Sequence, residues 1–456
     1  MRKKNTVILI VVAAALAGYY YLVEQPRHRE ALRRTALEGD LADFAMSEAA
    51  EVTITRPDVA LQFIRDRDGS SWLMERPVRD RAEDGSVNRL LGVLSEGEIE
   101  RDLGRQRDLS SFGLEQPAAT ITVVTTRGDT VVNLDVGNFT VEKYHAYAKR
   151  RGAGADGGIL LIPTGVRRYA LGEPFTYRSS RLTDFELTSV REFVVSQAGS
   201  TMTWQRGGDG EWSTVVNGSE IRGRKSYVEE VIRRMRALRA AEFVPEAEVA
   251  AVRPFDASPR SLAVTLEHGE ERRVRIGRRL EGRVYAGSRL RDDAEERVVL
   301  TDTTVLDLFA QSVFDLRDRR LLKFDPQKLG KLELQSAEVS VTLVRPGKEW
   351  GFPNPAAGAP DQRLVRRALD ALAELKYDGV LDEAPADAAS YGLSNAEIRL
   401  TLYDESGERI DRLLCARKED AEGGYVVTSD YSGVVAVVAG GDLEAAMAIF
   451  KDLRQP

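Results

Sequence analysis

Residues 51–72 read EVTITRPDVALQFIRDRDGSSW, two short β-rich runs, a polar turn after each, and a closing tryptophan. Val, Ile, Thr and Phe in runs of four to six, split by Arg-Pro-Asp and Asp-Gly-Ser-Ser, are the marks of an antiparallel strand pair. The same sentence is spelled twice more. Residues 192–212 read EFVVSQAGSTMTWQRGGDGEW, and residues 331–350 read KLELQSAEVSVTLVRPGKEW. The tryptophans, Trp72, Trp212 and Trp350, stand 140 and 138 residues apart. That period is far longer than a solenoid repeat, so each copy is expected to be a domain with its own core.

Downstream of each tryptophan, apolar residues fall at three- and four-residue spacing, the period of a helix with one buried face. They are Val87, Leu90, Leu91 and Leu94; then Val228, Val231, Ile232, Met235 and Leu238; then Leu364, Val365, Ala368, Leu369 and Leu372. A turn follows, Phe112-Gly113-Leu114 in the first copy and Tyr391-Gly392-Leu393 in the third, with the divergent Pro254-Phe255-Asp256 in the second. Next comes a strand of strict alternation, Leu262, Val264 and Leu266 or Ile398, Leu400 and Leu402, with one face buried and one wet. Its hairpin partner ends at Gly137 and Gly277 in copies one and two, whereas copy three has Ala416 there. A positive φ at that glycine would force copy three to turn differently. Two more strands follow. A short helix over Val166–Leu171, Thr304–Ala310 or Asp442–Ile449 then closes each unit.

The pattern predicts an α+β protein of three tandem homologous domains, residues 48–187, 188–325 and 326–456, each a mostly antiparallel sheet with helices on one face. Ahead of them, Thr6–Val23 has no charged residue; eighteen helical residues rise about 27 Å, close to the roughly 30 Å apolar core of a bilayer. Arg2, Lys3 and Lys4 precede it and Tyr19–Tyr21 close it, as expected of one transmembrane helix. Ala15-Leu16-Ala17 resembles a cleavage site, but apolar residues run on through Val23, which favours an uncleaved anchor. Residues 1–23 are thus expected to be a cytoplasmic tail and anchor, residues 24–47 a charged helical spacer, and the repeats periplasmic on a single-pass inner-membrane protein.

A β-run ending in tryptophan, a nearby proline (Pro77, Pro355), an amphipathic helix and an aromatic-Gly-Leu turn before a strand resemble the bacterial domain of unknown function (DUF) 4340. The resemblance covers nearly the whole chain after residue 47. Copy two departs most, with Val215-Val216-Asn217-Gly218 where the proline belongs. The resemblance implies no established enzyme activity, and a role as auxiliary component of an ABC-type transport system of the gliding-motility-associated kind.

The residues themselves offer little chemistry. Formal net charge is -7, with 65 basic and 72 acidic residues, which argues against a nucleic-acid binder. Cys415 is the one cysteine, so a disulfide within the chain and a cysteine-cluster metal site are both excluded. His28, His145 and His268 lie far apart, none with a partner at metal-ligand spacing. No Walker loop or GxSxG elbow occurs. The stretch Gly152–Gly158 reads as a hairpin tip rather than a phosphate loop. Asp292-Asp293 and Glu295-Glu296 read as solvated loop charge. No catalytic, cofactor or metal residue is expected, and no cofactor. Trp72, Trp212, Trp350, Gly113, Leu114, Gly392, Leu393, Gly137 and Gly277 are expected to be structural residues of the repeat core. The expected function is a membrane-anchored, non-enzymatic scaffold with a protein partner, possible ABC-type transporter subunits being the partner the resemblance implies. The alternative is an envelope protein that binds glycans or lipids in tryptophan-lined clefts.

Overall fold

The computed structural model describes residues 39–152, 158–255, 260–290, 296–418 and 424–453. The expected anchor and most of the spacer lie outside them. Among the described residues no helix is long and apolar enough to cross a membrane. Where the spacer was expected to continue, Leu41 and Phe44 are buried in the core of the first sheet, and Asp40 bridges Glu98.

Three antiparallel sheets with a few helices make the protein α+β. In the first sheet β1 is Ala49–Thr55, β2 Ala60–Arg65, β3 Trp72–Arg76, β4 Asp80–Arg81, β5 Arg101–Asp102, β6 Ala119–Thr125, β7 Thr130–Phe139, β8 His145–Arg150 and β9 Leu160–Pro163. Their spatial order is β4-β3-β2-β1-β6-β7-β8-β9-β5. The second has β10 Val190–Gln197, β11 Ser200–Arg206, β12 Trp212–Val216, β13 Ser219–Gly223, β14 Glu242–Phe243, β15 Arg260–Leu266, β16 Glu271–Leu280, β17 Arg283–Ser288 and β18 Arg297–Asp302, ordered β13-β12-β11-β10-β15-β16-β17-β18-β14. The third has β19 Leu329–Ser336, β20 Ser340–Val344, β21 Gly379–Asp382, β22 Ile398–Asp404, β23 Arg409–Arg417, β24 Tyr425–Ser429 and β25 Val435–Val438, ordered β20-β19-β22-β23-β24-β25-β21. Taken strand by strand, the first two orders are the same. The third differs only in lacking counterparts of β3 and β4. Pro353 falls three residues past Trp350, where β3 has Glu75; proline has no N–H to give a ladder, and among the described residues pairing after Trp350 stops at the single bridge Val344–Gly351.

Each sheet buries the residues its alternation puts on one face. In β6, Ala119, Ile121 and Val123 point inward and Thr120, Thr122 and Val124 are half-buried. The helix Asp84–Ser95 covers that face with Val87, Leu90, Leu91 and Leu94, all fully buried. The helix Lys225–Ala237 buries Val228, Val231, Ile232 and Met235. Gln362–Glu374 does the same with Val365, Ala368, Leu369 and Leu372. The closing helices are Thr164–Ala170 and Gly440–Asp452; in the second copy that stretch is a 3-10 helix, Thr303–Phe309, rather than an α-helix. By contact the chain parts into two compact units. One runs up to Glu186 and includes Arg234–Ala263 and Glu270–Leu306; the other has Leu187–Arg233, Val264–Gly269 and the residues from Asp307 on.

Candidate functional site

Trp72 and Trp212 are 1% exposed and Trp350 8%. No ring face is left on which a sugar could stack. Each ring has an arginine over it: Arg65 at 4.6 Å, Arg206 at 6.0 Å and Arg345 at 5.7 Å from the ring centroid. All three arginines also donate to the backbone that leads into their sheet. Arg65 reaches the carbonyls of Met46 and Ala49 (both 2.9 Å), Arg206 that of Thr188 (3.1 Å), and Arg345 those of Pro326 (3.0 Å) and Gln327. A guanidinium can do both because its flat face meets the ring while its edge carries the donors. In the first and third sheets the tryptophan is tied to the helix as well. Trp72 N–H donates to Asp84 Oδ1 (2.6 Å) and Trp350 N–H to Gln362 Oε1 (2.9 Å). The sequence reading missed these arginines, although they recur at nearly the period of the tryptophans.

Gly113 and Gly392 end 3-10 turns in the left-handed region, at φ 66° and 78°, and the leucines after them, Leu114 and Leu393, are buried. Gly137 and Gly277 act otherwise. Neither has a positive φ. A Cβ on Gly137 would lie 2.2 Å from the Phe112 carbonyl oxygen, and one on Gly277 2.4 Å from that of Pro254. Both glycines sit where the strand ladder slips, between Val136 and Phe139 and between Ile276 and Arg279. The divergent turn of copy two therefore presents the same carbonyl to the same glycine. In copy three β23 pairs with β24 without a slip, so Ala416 is accommodated. Gly137→Ala should lower stability by about 1–3 kcal/mol, since the turn must move away. Gly441→Ala, whose Cβ would meet nothing within 4 Å, should not weaken the fold. Urea midpoints of the two variants against the parent check this.

Two joints hold buried polar groups beside isolated bridges. In the first compact unit, residue pairs Ala82–Arg178 and Arg181–Arg239 form isolated bridges. In the second, Gly223–Arg317 and Arg320–Lys376 repeat them. At the first joint, Asp80 is 2% exposed and takes two arginines on one oxygen: Arg178 Nε at 2.5 Å and Arg297 Nη1 at 3.2 Å. Arg297 also donates to the Ser179 carbonyl (2.7 Å) and to Ser288 Oγ (3.3 Å), while its buried Nη2 has no partner among the described residues. Burial pulls the Arg297 guanidinium below its ordinary pKa, with Asp80 opposing. Both arginines lie over Phe243, at 4.1 and 5.5 Å. Beside them is a cavity of about 800 Å³, walled by Val78, Phe243 and Val249, with Glu246 and Glu296 also lining it.

The second joint pairs its arginine differently, beside two smaller cavities of about 390 and 340 Å³ that Arg317 and Glu383 both line. Arg317 gives Nη1 and Nη2 to the two oxygens of Glu383, at 2.7 and 2.8 Å. Burial opposes the Arg317 charge, but the Glu383 hydrogen bonds outweigh it and raise the pKa. Asp318 accepts from Arg320 and from Tyr431 Oη (2.7 Å). Burial alone would raise the Asp318 pKa, yet these bonds hold it below the ordinary carboxylate value. A carboxyl depressed on folding stabilises fully above its unfolded pKa, and that contribution fades as pH falls through the folded value. Asp318→Asn should therefore flatten the loss of stability from about pH 5 downward, read by thermal unfolding across that range.

The other polar candidates do not converge. Among the described residues no three His, Cys, Asp or Glu side chains come together as metal ligands would. His145 Nε2 stands 3.8 Å from Glu100. His268 is exposed and His28 lies outside the described residues. Cys415 is fully buried in β23, and burial pushes its thiol pKa up. Residues 153–157 of the glycine-rich stretch, with Asp292, Asp293 and Glu295, are likewise outside the described residues; β8 and β9, which flank that stretch, pair antiparallel. Glu296 is bound by Arg275, with Nε at 2.8 Å.

A family model described as Domain of unknown function (DUF4340) matches residues 72–258 and, overlapping, 214–357. No curated protein matches the chain.

Proposed function

Because this chain belongs to the DUF4340 family, we propose that residues 48–187, 188–325 and 326–456 are three copies of one unit, carried behind an N-terminal membrane anchor as a non-enzymatic scaffold of the cell envelope. The observation that carries the reading is the recurrence of the joint. The bridges at Ala82–Arg178 and Arg181–Arg239 return at Gly223–Arg317 and Arg320–Lys376, each beside an arginine–carboxylate pair with one partner buried. Within each compact unit, a joint made of main-chain hydrogen bonds and an arginine–carboxylate pair is a built contact and suits holding a partner in register. The common strand order and the repeated arginine–tryptophan contact support the threefold reading. The apolar run Thr6–Val23 supports the anchor, with the repeats in the periplasm and the partner an ABC-type transport system.

Two measurements test it in the native host. A reporter fused to the C-terminus and active only outside the cytoplasm should be active. Crosslinking of the full chain in intact cells, with mass-spectrometric identification of its partners, should return transporter subunits. An inactive reporter would remove the periplasmic placement, and a chain that crosslinks to no transporter subunit would remove the transport role.

A further inference from the structure

The first joint is furnished for a carboxylate that its own residues do not provide. Arg178 and Arg317 hold matching places, each bridged to the end of its sheet at Ala82 or Gly223. Arg317 gives both Nη groups to Glu383. Arg178 gives only Nε, to Asp80; its Nη groups carry no hydrogen bond among the described residues, and it lines the cavity of about 800 Å³. Glu246 stands seven residues past the bridged Arg239, as Glu383 stands past Lys376, yet it forms no ion pair with Arg178. Asp80 replaces Ile221, each two residues before its bridge. The outcome is two guanidiniums on a single carboxylate oxygen, in ground where the Arg297 side chain is 2% and the Asp80 side chain 3% exposed. Arg178, its side chain 19% exposed, is the one of the two whose Nη edge is left open toward the cavity, which Glu246 and Glu296 line without pairing with it.

The geometry points to this cavity as a binding site for a monocarboxylate carried on an apolar body, its two oxygens meeting the Arg178 fork as Glu383 meets Arg317. Charge selects a monoanion. A phosphate's second charge would face Glu246 and Glu296 across the same space. Val78, Phe243 and Val249 supply the apolar wall, and Val78 is 40% exposed at the mouth. Arg297 acts as a positioning residue: it holds Asp80, which holds Arg178. The site lies outside the scaffold reading and does not depend on it.

The test is calorimetric titration of the full chain in detergent with hexanoate and with hexanol, and with the peptide Ala-Val-Phe as free acid and as C-terminal amide. Each acid should bind at least about tenfold tighter than its uncharged counterpart, the worth of a charge-assisted pair of hydrogen bonds. Tighter hexanoate marks an acyl acid as the source; a tighter free-acid peptide marks a chain terminus. Arg178→Gln should abolish the preference for the acid. Val78→Glu, at the exposed mouth, should weaken the acids and leave hexanol unchanged, a readout that stands even if R178Q fails to fold. Acids binding no better than their neutral counterparts, or an acid preference untouched by V78E and by folded R178Q, would overturn the site.

Discussion

Replacing Trp72 with alanine is expected to cost about 3–5 kcal/mol, the range for removing a large aromatic from a packed interior. The ring is 1% exposed and sits within the cluster formed by Val52, Phe63, Met74, Val87 and Leu91. Three further ties hold the residue. Its indole N–H donates to Asn88 Oδ1 at 3.0 Å, its backbone N–H is held by Asp84 at the head of the helix, and Arg65 rests on its face. Alanine keeps the backbone bond but leaves the Arg65 guanidinium and the Asn88 oxygen without the ring. Urea unfolding followed by circular dichroism reads the loss. Trp72→Phe should recover a large part of it, because the aromatic volume matters more than one hydrogen bond. A loss under about 1 kcal/mol for the alanine variant would mean that the ring does not close a core.

The second large effect falls on Asp80. Asp80→Ala removes the carboxylate that Arg178 and Arg297 share, and should cost about 3–5 kcal/mol, the penalty of leaving a buried charge uncompensated. The double variant Asp80→Leu with Arg297→Met removes both buried charges and fills their space. It should be markedly more stable than either single change, because an apolar replacement of a buried pair is often neutral. Urea unfolding of Asp80→Leu, Arg297→Met and the double variant, beside Asp80→Ala, decides the matter. Additive losses in the double variant would show that the two residues act apart, contrary to the 3.2 Å contact between them.

The parts legible in the sequence are those set by local spacing. Val87, Leu90, Leu91 and Leu94 could be placed on one helix face because only the helical period brings them together. Ile398, Leu400 and Leu402 could be placed on one strand face for the matching reason. The burial of the three tryptophans followed from their recurrence. The parts that were not legible are non-local. Arg178 and Asp80 are 98 residues apart and Arg297 and Asp80 217, so no spacing rule connects them. The two-residue strands β4 and β5 carry no pattern long enough to read. Which structural demand Gly137 answers could not be read from its position. A glycine can answer a positive φ or a close approach, and only the fold decides between them; here it is the Phe112 carbonyl. Arg65, Arg206 and Arg345 did carry a signal in their regular recurrence, but an arginine at a strand end reads first as solvated charge.

The claim on which the rest turns is that three sister cores each enclose a tryptophan. It is tested most directly by acrylamide quenching of three full-length variants, each retaining one of Trp72, Trp212 and Trp350, with the other tryptophans, Trp204 included, changed to phenylalanine. The account predicts that all three indoles are shielded to a similar degree, and that denaturant opens each to the quencher. An indole among the three that is quenched in the folded chain as readily as in the unfolded one would contradict it.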